Sequence, residues 1–100
     1  MKALLIKPAE QSIEPIAIGS MDEIVQLIGF DTVISDDVGK DGDKLYFDED
    51  CFLRGNKDKF QIDTVIPVSG VGILIGSDGD EGLADLKADI EDIRSRTKFL

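Results

Sequence analysis

The chain has 100 residues, of which 42% are hydrophobic, and this is enough for one ordinary domain with one core. Its formal net charge of −10 argues against direct binding to nucleic acid or to an anionic membrane, because both need clustered Lys and Arg. Cys51 is the only cysteine and there is no histidine, so an intramolecular disulfide and the common histidine-dependent catalytic arrangements are excluded. With no resemblance to a signal peptide and no apolar stretch of membrane length, we expect a cytoplasmic, non-enzymatic protein without a cofactor.

The first segment predicts a β-hairpin. Lys2 to Lys7 is a short apolar run bounded by charges, which is typical of a buried strand. Ile13 to Ile18 predicts the second strand, after a polar turn at Ala9 to Ser12. Because Pro15 cannot donate a hydrogen bond to a neighbouring strand, we expect this second strand at an edge of the sheet or carrying a bulge.

A helix is predicted directly after this hairpin. Ser20 followed three residues later by Glu23 matches a capping box, and Gly29 is a plausible C-terminal stop. The apolar face of this helix consists of residues at helical spacing, namely Met21, Ile24, Val25 and Ile28.

The centre of the chain is strongly acidic. Thr32 to Ser35 and Lys44 to Asp48 predict two strands, and Asp36 to Asp43, which is rich in turn-forming residues, predicts a long charged tip between them. In the loop that follows, we expect Cys51, Phe52 and Leu53 to form a hydrophobic anchor.

The last third predicts one further strand and a helix. In the strand, Val71, Ile73 and Ile75 share one face, while Gly72 and Gly76 on the other leave room for a close approach. Ser77 to Gly82 predicts a turn. The following helix is indicated by apolar residues in steps of three and four, namely Leu83, Leu86, Ile90 and Ile93.

The order of elements predicts a single α+β domain over residues 1–100. Hairpins dominate and strands do not alternate with helices, so we expect a small antiparallel sheet of five to six strands. Two helices should pack on one face of that sheet.

Three segments carry a resemblance to a known family. They are MKALLIKP at the start, KLYFDEDCFLRG in the middle and PVSGVGILIGSD before the last predicted helix. In this order they resemble a bacterial and phage family designated domain of unknown function 3846, over nearly the whole chain. The resemblance implies no residue-level activity, but it implies an origin in phages, plasmids or other mobile elements. The acidic tip at Asp36 to Asp43 has no match in the family pattern.

The acidic hairpin is a weak candidate for a cation site. Its carboxylates Asp37, Asp41, Asp43 and Asp48 fall at positions 1, 5, 7 and 12 of an EF-hand-like spacing, with Gly42 at the sixth position. Position 3 is Gly39, which offers no side-chain ligand, and the flanking segments predict strands instead of helices. A solvated hairpin tip is therefore the preferred interpretation.

An acidic interaction surface is the preferred functional hypothesis. Three acids recur at helical spacing in the last predicted helix, and the hairpin tip adds three more; the six residues are Asp85, Asp89, Asp92, Asp36, Asp41 and Asp43. Such a surface fits a protein partner with a basic, nucleic-acid-binding face, which a DNA mimic would inhibit. Duplex DNA carries one charge per about 1.7 Å of axis, whereas a helix with an acid every third or fourth residue carries one per roughly 5 Å. Mimicry would therefore need helix and hairpin side by side.

The alternative is a small-molecule or metal-ion binding domain that uses the glycine-rich strand or the acidic hairpin. A phosphate cradle at Gly70, Gly72 and Gly76 is disfavoured, because these glycines lie within a strand and the next turn is acidic. A homodimer through the edge strand Ile13 to Ile18 is left open, although Pro15 would hinder it.

Overall fold

A computed structural model describes residues 1–55, 57–78 and 82–100. Within these ranges it contains two helices, a mostly antiparallel sheet of six strands and a small second sheet, which confirms the α+β class. No helix in the described ranges is long and apolar enough to cross a membrane. The elements are β1 (Lys2–Lys7), β2 (Ser12–Ala17), α1 (Met21–Ile28), β3 (Val33–Val38), β4 (Asp43–Asp48), a 3₁₀ helix (Cys51–Arg54), β5 (Lys59–Ile62), β6 (Val68–Ser69), β7 (Gly72–Ser77), β8 (Leu83–Ala84), α2 (Ile90–Arg96) and β9 (Thr97–Phe99).

The main sheet has the order β2-β1-β7-β4-β3, and every neighbouring pair is antiparallel. The short β8 pairs with the last residues of β7. Strand β2 lies at the edge, as its Pro15 predicted, since a proline lacks the N–H that an inner strand must donate. The second sheet has the order β6-β5-β9.

The core is divided into two clusters, because alternate residues of the central strands point to opposite faces. One face carries Ile73 and Ile75 of β7 and is covered by α1 through Ile24 and Ile28. The other face carries Leu74 and is covered by α2 and the second sheet, whose buried members include Phe60, Ile62, Val68 and Ile93. The prediction that both helices pack on one face is therefore wrong. Both faces of the central strands are apolar, so each face needs its own cover.

Helix α1 has the predicted limits. Gly29 ends it in the left-handed region at φ 89°, and its N–H donates to the carbonyl of Val25 at 2.9 Å. The capping box forms differently from the prediction. Ser20 is the N-cap but its side chain makes no capping hydrogen bond, whereas the Glu23 carboxylate accepts from the backbone N–H of Gly19 at 3.0 Å.

Helix α2 begins at Ile90, seven residues later than its apolar spacing predicted. Leu83 belongs to β8 and packs with the α1 cluster, while Leu86 packs on the opposite face of the sheet. The Leu86 N–H donates to the carbonyl of Lys2 at 2.9 Å, so tertiary hydrogen bonds hold this segment extended. Residues 79–81 of the predicted turn Ser77 to Gly82 lie outside the described residues.

The acidic hairpin has a much shorter tip than predicted. Strands β3 and β4 reach Val38 and Asp43, so only residues 39–42 connect them. Gly39 and Gly42 take φ values of 73° and 92°, which a side chain would strain. Asp36 therefore lies in a strand, opposite Leu45.

The hydrophobic anchor predicted after this hairpin forms only in part. Cys51 is buried at 2% exposure, but Phe52 is 50% exposed and Leu53 is 84% exposed. The three residues form one short 3₁₀ helix, and only its first side chain points into the core. Helical geometry turns the next two side chains away from the buried face, so adjacency in sequence does not make them a common anchor.

Replacing Gly76 by alanine is expected to destabilise the protein. A Cβ at this position would lie 2.1 Å from the backbone oxygen of Asp85, so β7 and the segment after β8 would have to separate. Such overpacking costs about 1–3 kcal/mol. Urea unfolding of Gly76→Ala measures the loss. Gly19→Ala is the control, because its Cβ would meet only the movable carboxylate of Glu23; equal losses in both variants would contradict the close approach at Gly76.

Candidate functional site

The candidate site residues lie at two ends of the main sheet, which strand β4 connects. It begins at Asp43 and ends at Asp48, and five steps along an extended strand span roughly 17 Å. We call the first end the acidic end; it comprises the hairpin tip at residues 39–42, the segment at residues 85–89, and Asp92 of α2. The second end contains a cleft.

A buried carboxylate holds the acidic end together. Asp43 is only 3% exposed, and its two oxygens accept hydrogen bonds from the backbone N–H groups of Lys87 and Ala88 at 2.9 and 3.0 Å. The Lys87 ammonium donates to the carbonyl of Asp41 at 2.7 Å. These bonds place the hairpin tip beside the segment that precedes α2. The Asp43 carboxylate is consequently occupied and unavailable to a partner or a metal ion.

The predicted row of acids on one helix is wrong. Only Asp92 lies inside α2, since Asp89 is the residue before its first turn and Asp85 belongs to the extended segment. Asp85 instead accepts a hydrogen bond from the backbone N–H of Lys2 at 2.8 Å. The side chains of Asp85, Asp89 and Asp92 are nevertheless exposed, as is that of Asp41. Exposed acids from the hairpin and from the α2 region are therefore neighbours.

Arg96 ties α2 to two other parts of the chain. Its Nε lies 3.0 and 2.9 Å from the two carboxylate oxygens of Asp63, and its Nη1 lies 2.9 Å from Asp92 Oδ2. The hydrogen bond from Arg96 lowers the pKa of Asp63 despite an opposing effect of burial. A Cβ at Gly39 would lie 3.8 Å from Arg96 Nη2, so this guanidinium also adjoins the hairpin tip.

The cleft at the other end has a volume of about 420 Å³. Its walls come from the turn after β1, the residues that end α1, the end of β4, the loop before β5 and the bend that precedes β7. In that bend, Gly70 takes a φ of 90° and donates its N–H to the carbonyl of Asp58 at 3.1 Å. The lining includes Lys7, Glu10, Phe30, Asp48, Asp58 and Val71.

Asp48 organises one wall of the cleft. It is 4% exposed and accepts hydrogen bonds from the Thr32 hydroxyl, from the Asp50 N–H at 3.1 Å and from Arg54 Nε at 2.9 Å. Burial acts to raise the pKa of Asp48, but the hydrogen bonds from Arg54, Thr32 and Asp50 together lower it. The hydrogen bond to Asp48 in turn raises the pKa of Arg54. The Arg54 guanidinium lies 3.7 Å from the centroid of the Phe30 ring, a cation–π contact that fixes the aromatic wall.

The EF-hand-like cation site is not formed. Asp43 and Asp48 lie at opposite ends of β4 with both carboxylates hydrogen-bonded, and Asp37 lies 3.7 Å from the ammonium of Lys44. Asp41 is exposed at the tip. Residues 1–55, 57–78 and 82–100 contain no group of three or more Cys, Asp or Glu side chains placed to hold a metal ion. The spacing fails because a paired strand, unlike a calcium loop, spreads successive carboxylates along its length.

Sequence reasoning missed the residues of the cleft. Phe30 follows the helix stop at Gly29 without any periodic pattern, and Arg54 and Asp58 lie in a loop. An aromatic residue directly after a helix stop was the one available signal. Gly70 was noticed, but as part of a strand instead of the bend that it forms.

The chain matches no protein-family model, no curated protein and no solved structure. The resemblance to domain of unknown function 3846 therefore stays a prediction.

Replacing Asp43 by alanine is expected to loosen the acidic end. It leaves the N–H groups of Lys87 and Ala88 without their acceptor, and because both hydrogen bonds are part-buried, the cost for each should be about 1 kcal/mol, the low end of the range for an unsatisfied donor. Urea unfolding measures this loss. Asp41→Ala, which removes an exposed acid two residues away, should change stability by less than about 0.5 kcal/mol. If the two variants were equally stable, Asp43 would have no structural role.

Replacing Asp48 by asparagine is expected to destabilise the protein in a pH-dependent way. The pKa of Asp48 is lower in the folded protein than its usual 3.8. The stabilisation that the ionised carboxylate provides is therefore fully present above pH 3.8, and it is lost as the pH falls through the lower pKa of the folded state. The difference in free energy of unfolding between the wild type and Asp48→Asn should be about 1–3 kcal/mol at neutral pH. Denaturation series from pH 7 downwards should show this difference shrinking below pH 3.8. A difference that is constant with pH would contradict an ionic role.

Proposed function

We propose that this protein is a non-enzymatic, cytoplasmic accessory protein of a mobile element, which acts by binding a basic macromolecular partner through its acidic end. The observation that carries the proposal is the bonding of Asp43 to Lys87 and Ala88. It fixes the hairpin tip beside the segment before α2, so exposed acids from two elements can face one partner.

The distribution of charge supports this function. Among the described residues, Asp43 and Asp48 are the buried acids, and the remaining described acids keep part of their side chains in solvent. The acidic charge of the described residues is consequently carried mainly by the surface. A surface field of this sign speeds association with a basic partner and disfavours nucleic acid and anionic membranes.

The most specific form of the proposal is a decoy for a nucleic-acid-binding protein. A row of acids along one helix would carry one charge per roughly 5 Å of helix axis. This charge density is low compared with that of duplex DNA, which carries one charge per about 1.7 Å of axis. At the acidic end, Asp41 adjoins the segment that carries Asp85 and Asp89, and Arg96 links Asp92 to the same tip. Two adjoining elements supply a denser array than either supplies alone.

The test is a pull-down with the tagged protein from nuclease-treated lysate of the host cell. The tagged protein should retain a basic partner at low salt and release it at high salt, because salt screens the attraction between charges. The purified partner is then titrated with Asp41→Asn/Asp89→Asn. Asp89 is the N-cap residue of α2 but its side chain makes no capping hydrogen bond, so the variant changes charge and not the helix start. We expect about three- to tenfold weaker binding, since each exposed charge contributes up to about 1 kcal/mol.

The matched control is Asp31→Asn/Glu49→Gln, which removes the same charge from exposed residues at the opposite end of the sheet. It should bind nearly as well as the wild type. Displacement of labelled duplex DNA from the partner by the wild-type protein would support the decoy. Binding that is insensitive to salt, or weakened equally by both variants, would contradict recognition through the acidic end.

A further inference from the structure

We propose that the cleft at the Asp48 end binds a small organic cation that carries an amine or guanidinium group on an apolar body. This is a second site, separate from the acidic end, and it uses the bend at Gly70 and Val71 that leads into β7. Its volume of about 420 Å³ lies within the usual range for small-molecule sites.

The cleft offers an apolar surface to the body of such a ligand. Pro8 and Ile28 are buried beneath it, and Val71 is half-buried beside them. Phe30 is 38% exposed, so part of its ring is available at the wall of the cleft. A flat or aliphatic body that covered Phe30 would remove this apolar area from water.

The charges around the cleft select a cation. The lining includes the carboxylates of Glu10, Asp48 and Asp58, against the single ammonium of Lys7. Lys7 lies 3.4 Å from Glu10, and Asp48 is paired with Arg54, so these charges are compensated. The carboxylate of Asp58 forms no ion pair or hydrogen bond with any of the described residues. An anion would be repelled by Asp58 and by the overall charge of −10, whereas a cation gains from both.

Contacts within the protein hold the walls of the cleft. Arg54 holds the Phe30 ring, and the carbonyl of Asp58 is fixed by the N–H of Gly70. In the turn after β1, the N–H of Glu10 donates to the carbonyl of Lys7 at 3.2 Å. Binding therefore costs little ordering of the protein, which favours affinity for a small ligand.

The probe for this proposal is 2-phenylethylamine, which combines an aromatic body with an ammonium group. Two compounds with the same phenylethyl body serve as controls: 2-phenylethanol, which is neutral, and 3-phenylpropanoate, which is an anion. Each compound is titrated to millimolar concentration into the ¹⁵N-labelled full chain, and amide chemical shifts are followed. We expect saturable shifts with the amine at Glu10, Phe30, Gly70 and Val71, weaker effects with the alcohol and none with the carboxylate.

The decisive variant is Asp58→Asn, which removes the uncompensated carboxylate from an exposed loop residue and keeps its size. It should weaken amine binding about threefold or more, as expected for an exposed charge pair worth up to about 1 kcal/mol. Asp89→Asn removes the same charge from an exposed residue at the acidic end and should leave the affinity unchanged. Unchanged wild-type chemical shifts elsewhere would show that both variants fold.

Three results would overturn the proposal. They are equal binding of the amine and the alcohol, amine-induced shifts confined to the acidic end, and no saturable shifts at the cleft. The first would mean that charge is not recognised, and the second would mean that the amine associates only through bulk attraction. Failure of the amine to bind at the cleft does not contradict the macromolecular partner, because the cleft lies roughly 17 Å along β4 from the acidic end.

Discussion

The burial of strand β7 on both faces is the constraint on which the remaining structure depends. All six of its residues are buried, and it pairs with β1 on one side and with β4 on the other. Since its side chains alternate, apolar groups project from both faces and each face needs a covering layer. Helix α1 covers one face, and α2 with the small sheet covers the other. The two ends of β7 also locate the two sites, because the cleft lies before Gly72 and the acidic end lies beyond Gly76.

Local sequence signals were sufficient to predict the secondary structure of the first third of the chain. The charged limits of β1, the proline of β2 and the glycine stop of α1 each act within a few residues, so they can be recognised without knowing the tertiary structure. The segment at residues 83–89 behaves differently. Its leucines follow helical spacing, but hydrogen bonds to β7 and to Lys2 hold Leu83 and Leu86 partly buried against opposite faces of the sheet. Tertiary pairing overrides local propensity there.

The two candidate sites depend even more on contacts between residues that are distant in the sequence. Asp43 follows Asp41 and Gly42 in a typical turn sequence, yet its burial is decided by backbone groups 44 and 45 residues later. The cleft collects residues from five separated segments, so no motif could indicate it. Amino-acid composition predicted the surface charge more reliably than any motif predicted a site. A core can bury and pair few carboxylates, so most of the acidic residues must lie on the surface.

The pairing of β1 with β7 has a consequence for the order of folding. Ala3 pairs with Ile75, and the N–H of Lys2 reaches a carboxylate 83 residues later in the chain. During synthesis, the first hairpin therefore lacks its inner neighbour until most of the chain has left the ribosome. Until then β1 has an unpaired inner edge and exposes apolar side chains on both faces. Contacts this distant in sequence also slow the search for the native pairing, so the nascent chain depends on its charge to remain free of aggregation.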